Sequence, residues 1–283
     1  MPIDRLRRLL PRRHRNAPGD ADRLRRMIEL DDRLDHGDPG QLAFQISEIA
    51  GDRIYTKHGV EVGPGDVVID AGGNIGVSAA HFALQCGAAE VHSFEPIPGT
   101  FDQLCQNVAS IPACRPSQMG LGSENGSIEM TYFTGGDSVL SGRDVDPGEY
   151  REYLATVGRN LGLSDEEAER RVADRCLPHT AECEIVTLSS VIRERGIERI
   201  DLLKIDVEGA EVEVLDGIGD ADWPRIRQVS AEVHSDELLE SMNERLHDQG
   251  FQTRVEQDPQ LTGTPIRMLY AVRPSEAVTA SSS

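Results

Sequence analysis

Apolar positions in the body of the chain fall into short runs separated by segments of helical spacing. DVVIDAG (66–72), AEVHSFEP (89–96), RIDLLKIDVEG (199–209) and RQVSAEVH (227–234) are short and bounded by glycine, proline or charge, as buried strands are. PSQMGLG and SIEMTYF read as further extended segments around a glycine-rich turn, and FQTRVEQD and PIRMLYAV as two final strands, paired antiparallel. Between them, VSAAHFALQCG, TFDQLCQNVASI, AEVEVLDGI and SDELLESMNERLHDQG have helical spacing. Three of these stop at or next to a glycine, the residue that best adopts the left-handed conformation at a helix end. Strands alternating with helices predict an α/β fold: a mostly parallel sheet covered by helices on both faces.

Two regions depart from this rhythm. Residues 1–45 carry alternating basic and acidic amphipathic pieces such as ADRLRRMIELDDRL, which predict a leading arm and helix before a body spanning 46–275. Residues 141–180 hold two polar helical segments, DPGEYREYLATVGRNLG and LSDEEAERRVADRC, the second opened by a Ser164/Glu167 capping box. Two polar helices between strands predict a helical insertion, acting as a lid or a dimer arm. The tail 276–283 is small and polar, and reads as disordered.

The formal net charge of −20 disfavours nucleic acid or an anionic membrane as partner. Basic charge concentrates in the first 26 residues, with nine arginines against three aspartates, so the remainder is more acidic than the total. That arm is a second place where a homodimer contact is expected. No run reaches the length of a membrane span, and no apolar stretch follows the early arginines, so a cytoplasmic location is expected. Five cysteines without a C-x-x-C pair argue against a disulfide framework and against structural zinc.

The chemistry concentrates at strand ends, where open parallel sheets bind their ligands. The turn after the first strand reads D-A-G-G-N-I-G, with Asp70 before Gly72, Gly73, Asn74 and Gly76. Glycine there allows unusual backbone angles and close approach of a ligand. Glu95 ends the second strand, where a carboxylate can hold ribose hydroxyls. The turn is not the G-x-G-x-x-G of a dinucleotide site, and an acid beside it repels a pyrophosphate. It suits a cationic nucleoside such as S-adenosylmethionine, and a nicotinamide oxidoreductase is disfavoured.

With VVIDAGGNIG, VHSFEP and IDLLKIDVEGAEVEVLDGI together, the chain resembles the FkbM-type methyltransferases, a class I S-adenosylmethionine-dependent family. The resemblance spans roughly 50–272, is weakest across 141–180 and does not reach the arm. It implies a Rossmann-like seven-stranded sheet with an antiparallel last strand, and O-methylation of hydroxyls on natural products or sugars. It implies that Asp70, Gly72, Asn74 and Gly76 line the methionine moiety and that Glu95 holds the ribose. Gly120 and Leu121 would flank the adenine, although QMGLG lacks the acid that relatives often carry there.

Methyl transfer to a hydroxyl needs alignment and a proton acceptor. Asp206 ends the fourth long strand candidate, and His234 ends RQVSAEVH. An ordinary imidazole pKa near 6.5 marks His234 as the expected general base, with Asp206 orienting it or the acceptor. Glu208 and Glu232 are expected beside them. These four could instead hold a divalent cation, but a metal-free site with hydrogen bonds to backbone and to Lys204 is the preferred reading. The loop TGGDSVLSG, through Ser138, is expected to close over the cofactor. The acceptor is then a small hydroxylated molecule. A binding protein that keeps the fold without the chemistry is the alternative, as is N-methylation.

Overall fold

The computed structural model describes residues 20–31, 33–34, 39–134, 147–160, 164, 166 and 177–274. In chain order these form α1 (Asp20–Asp31), α2 (Pro39–Ile46), β1 (Val67–Ala71), α3 (Val77–Ala80), β2 (Glu90–Phe94), α4 (Pro98–Val108) and β3 (Cys114–Ser117). Then follow β4 (Gly120–Leu121), β5 (Gly126–Thr134), α5 (Pro147–Asn160), β6 (Leu177–Val186), α6 (Leu188–Arg195), β7 (Leu202–Ile205) and α7 (Glu211–Asp216). The last are β8 (Gln228–Val233), α8 (Asp236–Asp248), β9 (Gln252–Glu256) and β10 (Arg267–Val272). Both α2 and α3 run on into wider π-type turns, Ser47–Asp52 and His81–Cys86, the second closed by Gly87 at φ 81°. No described helix is long and apolar enough to cross a membrane.

Seven strands form one sheet in the order β3-β2-β1-β7-β8-β10-β9. All neighbours are parallel except β10, which runs antiparallel to both β8 and β9. The expected seven-stranded, mostly parallel sheet with a reversed last strand is the fold observed. The strand order reverses between β1 and β7, so the crevice that such sheets use opens above those two strands.

Alternation along each strand divides two cores. Ile69, Ala71, Leu203, Ile205, Ala231 and Val233 face α6, α7 and α8. Val68, Leu202, Met268 and Tyr270 face the other way, against α1 to α4. By the same alternation Asp70, Lys204 and Glu232 point to this second face, with Asp206 one step beyond β7. Met27, Leu30, Leu34, Leu42 and Ile46 are buried in this core. The described part of the N-terminal stretch therefore packs as a layer of the domain.

The sheet contains no β4, β5 or β6. These make a separate three-stranded sheet in the order β4-β6-β5 with a small core of Ile97, Met130 and Cys183. Sequence patterning did not mark β6, whose polar outward positions break the apolar run. Of the inserted region, Pro147–Asn160 is helical as expected, while Leu177–Val186 is strand. The second expected helix of the insertion, Ser138 and the tail lie outside the described residues, apart from Ser164 and Glu166.

Candidate active site

The turn after β1 is held by its backbone. Gly72 and Gly73 both donate to the carbonyl of Phe94, and Gly72, Asn74 and Gly76 have φ of 77°, 46° and 91°. At Gly72 the requirement is absolute, because a Cβ there would lie 1.8 Å from the carbonyl oxygen of Asp206. The turn is therefore pressed against the end of β7, and only glycine permits that approach. Gly72, Gly73 and Asn74 line a cavity at the strand ends, with Glu95, Ile97, Gly120 and Leu121 beside them. Gly76 does not line it and instead packs beneath α4, near Leu104 and Val108.

Glu95 accepts hydrogen bonds from the backbone of Asn74 at 3.0 Å and Ile97 at 2.9 Å, so it ties the turn after β1 to the start of α4. Burial raises its pKa to about 7, against the opposing pull of those two donors.

Asp70 sits differently from the expectation. It is fully buried and does not line the cavity. Ser78 and Ser93 donate to its Oδ2 at 2.9 and 2.8 Å, and Lys204 Nζ stands 3.2 Å from its Oδ1. The register explains this, since Asp70 is level with Ser93 on β2 and with Lys204 on β7. The acid holds the floor of the turn, behind the cavity wall. Lys204, one of only two lysines, also donates to the carbonyls of Ala71 and Gly72 at 3.2 and 2.5 Å. Burial pulls its pKa down, but Asp70 and then Asp206 outweigh it and the net shift is upward.

Asp206, Glu208 and Glu232 line the same cavity from the ends of β7 and β8. Asp206 Oδ2 accepts the Tyr55 hydroxyl at 2.7 Å and lies 3.6 Å from Lys204 Nζ. Glu208 has a left-handed φ of 55°, unusual for a side chain of its size. It faces His234 Nε2 at 2.9 Å, while Glu211 Oε1 takes His234 Nδ1 at 2.8 Å and the Gly209 backbone at 2.8 Å. Glu232 Oε1 is 3.6 Å from His234 Nε2.

This arrangement removes the premise on which His234 was expected to be the base. Burial disfavours the charged ring, but Glu208 and Glu211 outweigh it and hold its pKa well above 6.5. The enclosure favours the charged ring, and His234 does not line the cavity. Burial, then Asp206 and Glu208 against the pull of His234, pushes Glu232 up to about 8. Asp206, Glu232 and His234 each place one potential ligand atom within 4.8 Å of the others. A cation held there would have to displace His234 from Glu208.

The opposite wall comes from a segment whose role sequence reasoning missed. Phe44, Glu48, Ile49, Ile54 and Tyr55 border the cavity, and Leu261 closes one side. Glu48 is held well above the usual carboxylate range by burial and then by Glu232, Asp258 and Asp206. Glu211 was also missed, although its spacing from Glu208, one turn apart before a strand-end histidine, could have signalled it.

Residues 70–253 match the family model described as the methyltransferase FkbM domain. The chain is 43% identical over 243 residues to 31-O-demethyl-FK506 methyltransferase FkbM of Streptomyces tacrolimicus, covering 84% of this chain and 92% of that protein. It is 32% identical to methyltransferase sdnD of Sordaria araneosa over 222 residues, 74% of this chain and 81% of that one. Among solved structures, a methyltransferase FkbM from Methylobacillus flagellatus is similar at 14% identity, with a TM-score of 0.46 over 88% of this chain and 60% of that one. The chain belongs to the FkbM family and is an S-adenosylmethionine-dependent methyltransferase.

Proposed function

We propose that this enzyme methylates a hydroxyl oxygen of a small molecule. The observation that carries this reading is a single cavity with two chemically different walls. One wall is the glycine turn with Glu95, Gly120 and Leu121; the other is a set of carboxylates at the ends of β7 and β8 facing Tyr55 and apolar side chains of α2 and its extension. Two relatives carry O-methyl transfer in their names, the Streptomyces enzyme above and 2-O-methyltransferase NoeI of Sinorhizobium fredii, 28% identical over 181 residues.

The first wall fits S-adenosylmethionine. Gly72 and Gly73 border the cavity without side chains, and the Glu95 carboxylate stands at the end of β2 where ribose hydroxyls are held. When bound, S-adenosylmethionine supplies an electrophilic methyl group on a sulfonium. The chain's own residues then orient the acceptor, exclude water with the apolar side chains of α2 and its extension, and take up the hydroxyl proton. Excess carboxylate around the acceptor side disfavours anionic acceptors and suits neutral ones that donate hydrogen bonds.

Calorimetric titration with S-adenosylmethionine and with NAD tests the first half. Micromolar binding of the former and none of the latter is expected. Mass spectrometry of 31-O-demethyl-FK506 and a panel of neutral glycosides after incubation with the enzyme and S-adenosylmethionine tests the second half. Binding without a gain of 14 mass units (one added CH₂) on any hydroxylated acceptor, and with gain on an amine, would overturn O-methylation.

A further inference from the structure

The hydroxyl proton needs a recipient, and four ionisable groups stand at the ends of β7 and β8. Their surroundings separate them. His234 is 9% exposed in its side chain, lies behind the cavity wall, and has Glu208 on one ring nitrogen and Glu211 on the other. A ring held on both nitrogens has no lone pair turned to a substrate. Asp206 reaches the cavity, but the Tyr55 hydroxyl and the Lys204 ammonium already share its Oδ2. That oxygen is therefore already taken by two partners. Glu208 reaches the cavity too, and is tied to His234 Nε2 at 2.9 Å.

Glu232 differs from all three. Its side chain is 21% exposed and lines the cavity. It accepts no hydrogen bond from a described residue, and its ion-pair partner His234 is 3.6 Å away, beyond hydrogen-bond reach. Its neighbours Ala231 and Val233 are buried in the opposite core, so strand alternation directs Glu232 to the face that carries Asp206 and Tyr55. Pairing with Met268 on the antiparallel β10 fixes that register.

We propose that Glu232 is the proton acceptor in methyl transfer, and that His234 is a positioning residue which, fixed between Glu208 and Glu211, keeps Glu232 at the cavity wall. This assignment rests on the O-methylation reading above. In enzyme whose Glu232 is ionised, a fraction that grows as pH rises through about 8, the acceptor O–H bond breaks and its proton passes to a Glu232 oxygen, while the hydroxyl oxygen forms the new O–CH₃ bond. The S–CH₃ bond breaks with its electron pair left on sulfur, which becomes a neutral thioether. The proton on Glu232 leaves to solvent with the product.

The test uses the full-length enzyme, the hydroxylated acceptors of the assay above as probes, and Glu232→Ala with His234→Gln. For Glu232→Ala, kcat should fall on the order of 10²-fold or more, the usual contribution of a general base. The dissociation constant for S-adenosylmethionine, measured by calorimetry, should stay within about threefold, since the residue is assigned to the acceptor side. Added formate should restore at least roughly tenfold of the lost rate, because a small carboxylate can occupy the vacated place and take the proton. His234→Gln should lower kcat with unchanged cofactor binding and show no rescue by formate. Glu232→Ala with near wild-type kcat would overturn the assignment. So would activity abolished by a chelator and restored by Mg²⁺, which would place Glu232 in a cation site with Asp206 and His234. A wild-type enzyme that binds S-adenosylmethionine yet methylates only amines fails the O-methylation reading itself, a different outcome from either.

Discussion

Tyr55 and Asp206 are 151 residues apart in the chain and joined by a 2.7 Å hydrogen bond in the fold. The tyrosine ring also lies under the Lys204 ammonium, 5.2 Å from its centroid. Burial and then the Asp206 charge raise the pKa of the phenol, so it stays neutral and donates. Through this contact the segment after α2 is fastened to the strand ends, and the cavity gains its second wall.

Tyr55→Phe should leave the fold intact and lower kcat about tenfold. A hydrogen bond to a charged group contributes roughly 1.5–3 kcal/mol, discounted here because Asp206 is partly open to water. Thermal melting should shift down by a few degrees at most, roughly 2–4 °C per kcal/mol at this size. Steady-state rates beside the melting curve separate the two: a melting shift with an unchanged rate would make the bond purely structural.

Asp70→Asn and Lys204→Met should each be strongly destabilising, by about 3–5 kcal/mol, because either leaves a buried charge without its partner. The double variant should cost clearly less than the sum. Denaturant unfolding of all four proteins closes the cycle. Additive losses would show that Ser78 and Ser93 alone satisfy Asp70.

Gly72→Ala should abolish S-adenosylmethionine binding and cost on the order of 3 kcal/mol in stability. The new Cβ meets the Asp206 carbonyl and the backbone angle is left-handed, so the turn must leave β7. Gly99→Ala is the control, since nothing lies within 4 Å of its added Cβ. Tight cofactor binding by Gly72→Ala would show that the turn can shift without losing the site.

Stability should fall as pH rises from about 6.5 to 8.5. His234 has its folded pKa raised above the unfolded value, so its contribution is complete below about 6.5 and is lost as pH passes the folded pKa. Glu95, about 7, and Glu232, about 8, are carboxylates whose folded pKa is also raised, so the folded chain again binds more protons across this window. His81, lowered to about 4 by burial, acts in the opposite direction, but its window lies between about 4 and 6.5. Melting temperatures at steps through this range should decline, and less steeply in Glu232→Gln. A rise would mean that the strand-end cluster is not proton-rich in the folded state.

Much of the architecture was legible. The runs around Asp70, Phe94, Ile205 and Val233 are short, apolar and punctuated by glycine or proline, and all four became parallel strands. The turn at Gly72–Gly76 was recognisable because a left-handed backbone leaves glycine and asparagine as its mark. β6 was not legible, because a strand in a small, half-open sheet alternates weakly and lacks a continuous apolar run. The arm was only half legible: amphipathic helices were expected, but their apolar stripes do not say what covers them.

The sequence by itself determined the order of strands and helices, the glycine turn and the presence of acids at four strand ends. Those features are local, written in period and in backbone preference. Only the tertiary structure decided which acids line the cavity. Asp70 turns into the floor because β1 is level with Ser93 and Lys204, His234 is enclosed because Glu211 folds under it, and Tyr55 reaches Asp206 from 151 residues earlier in the chain. Strand register and long-range closure set the burial and partners of each carboxylate, and burial and partners set whether it holds the fold, holds a cation or takes a proton.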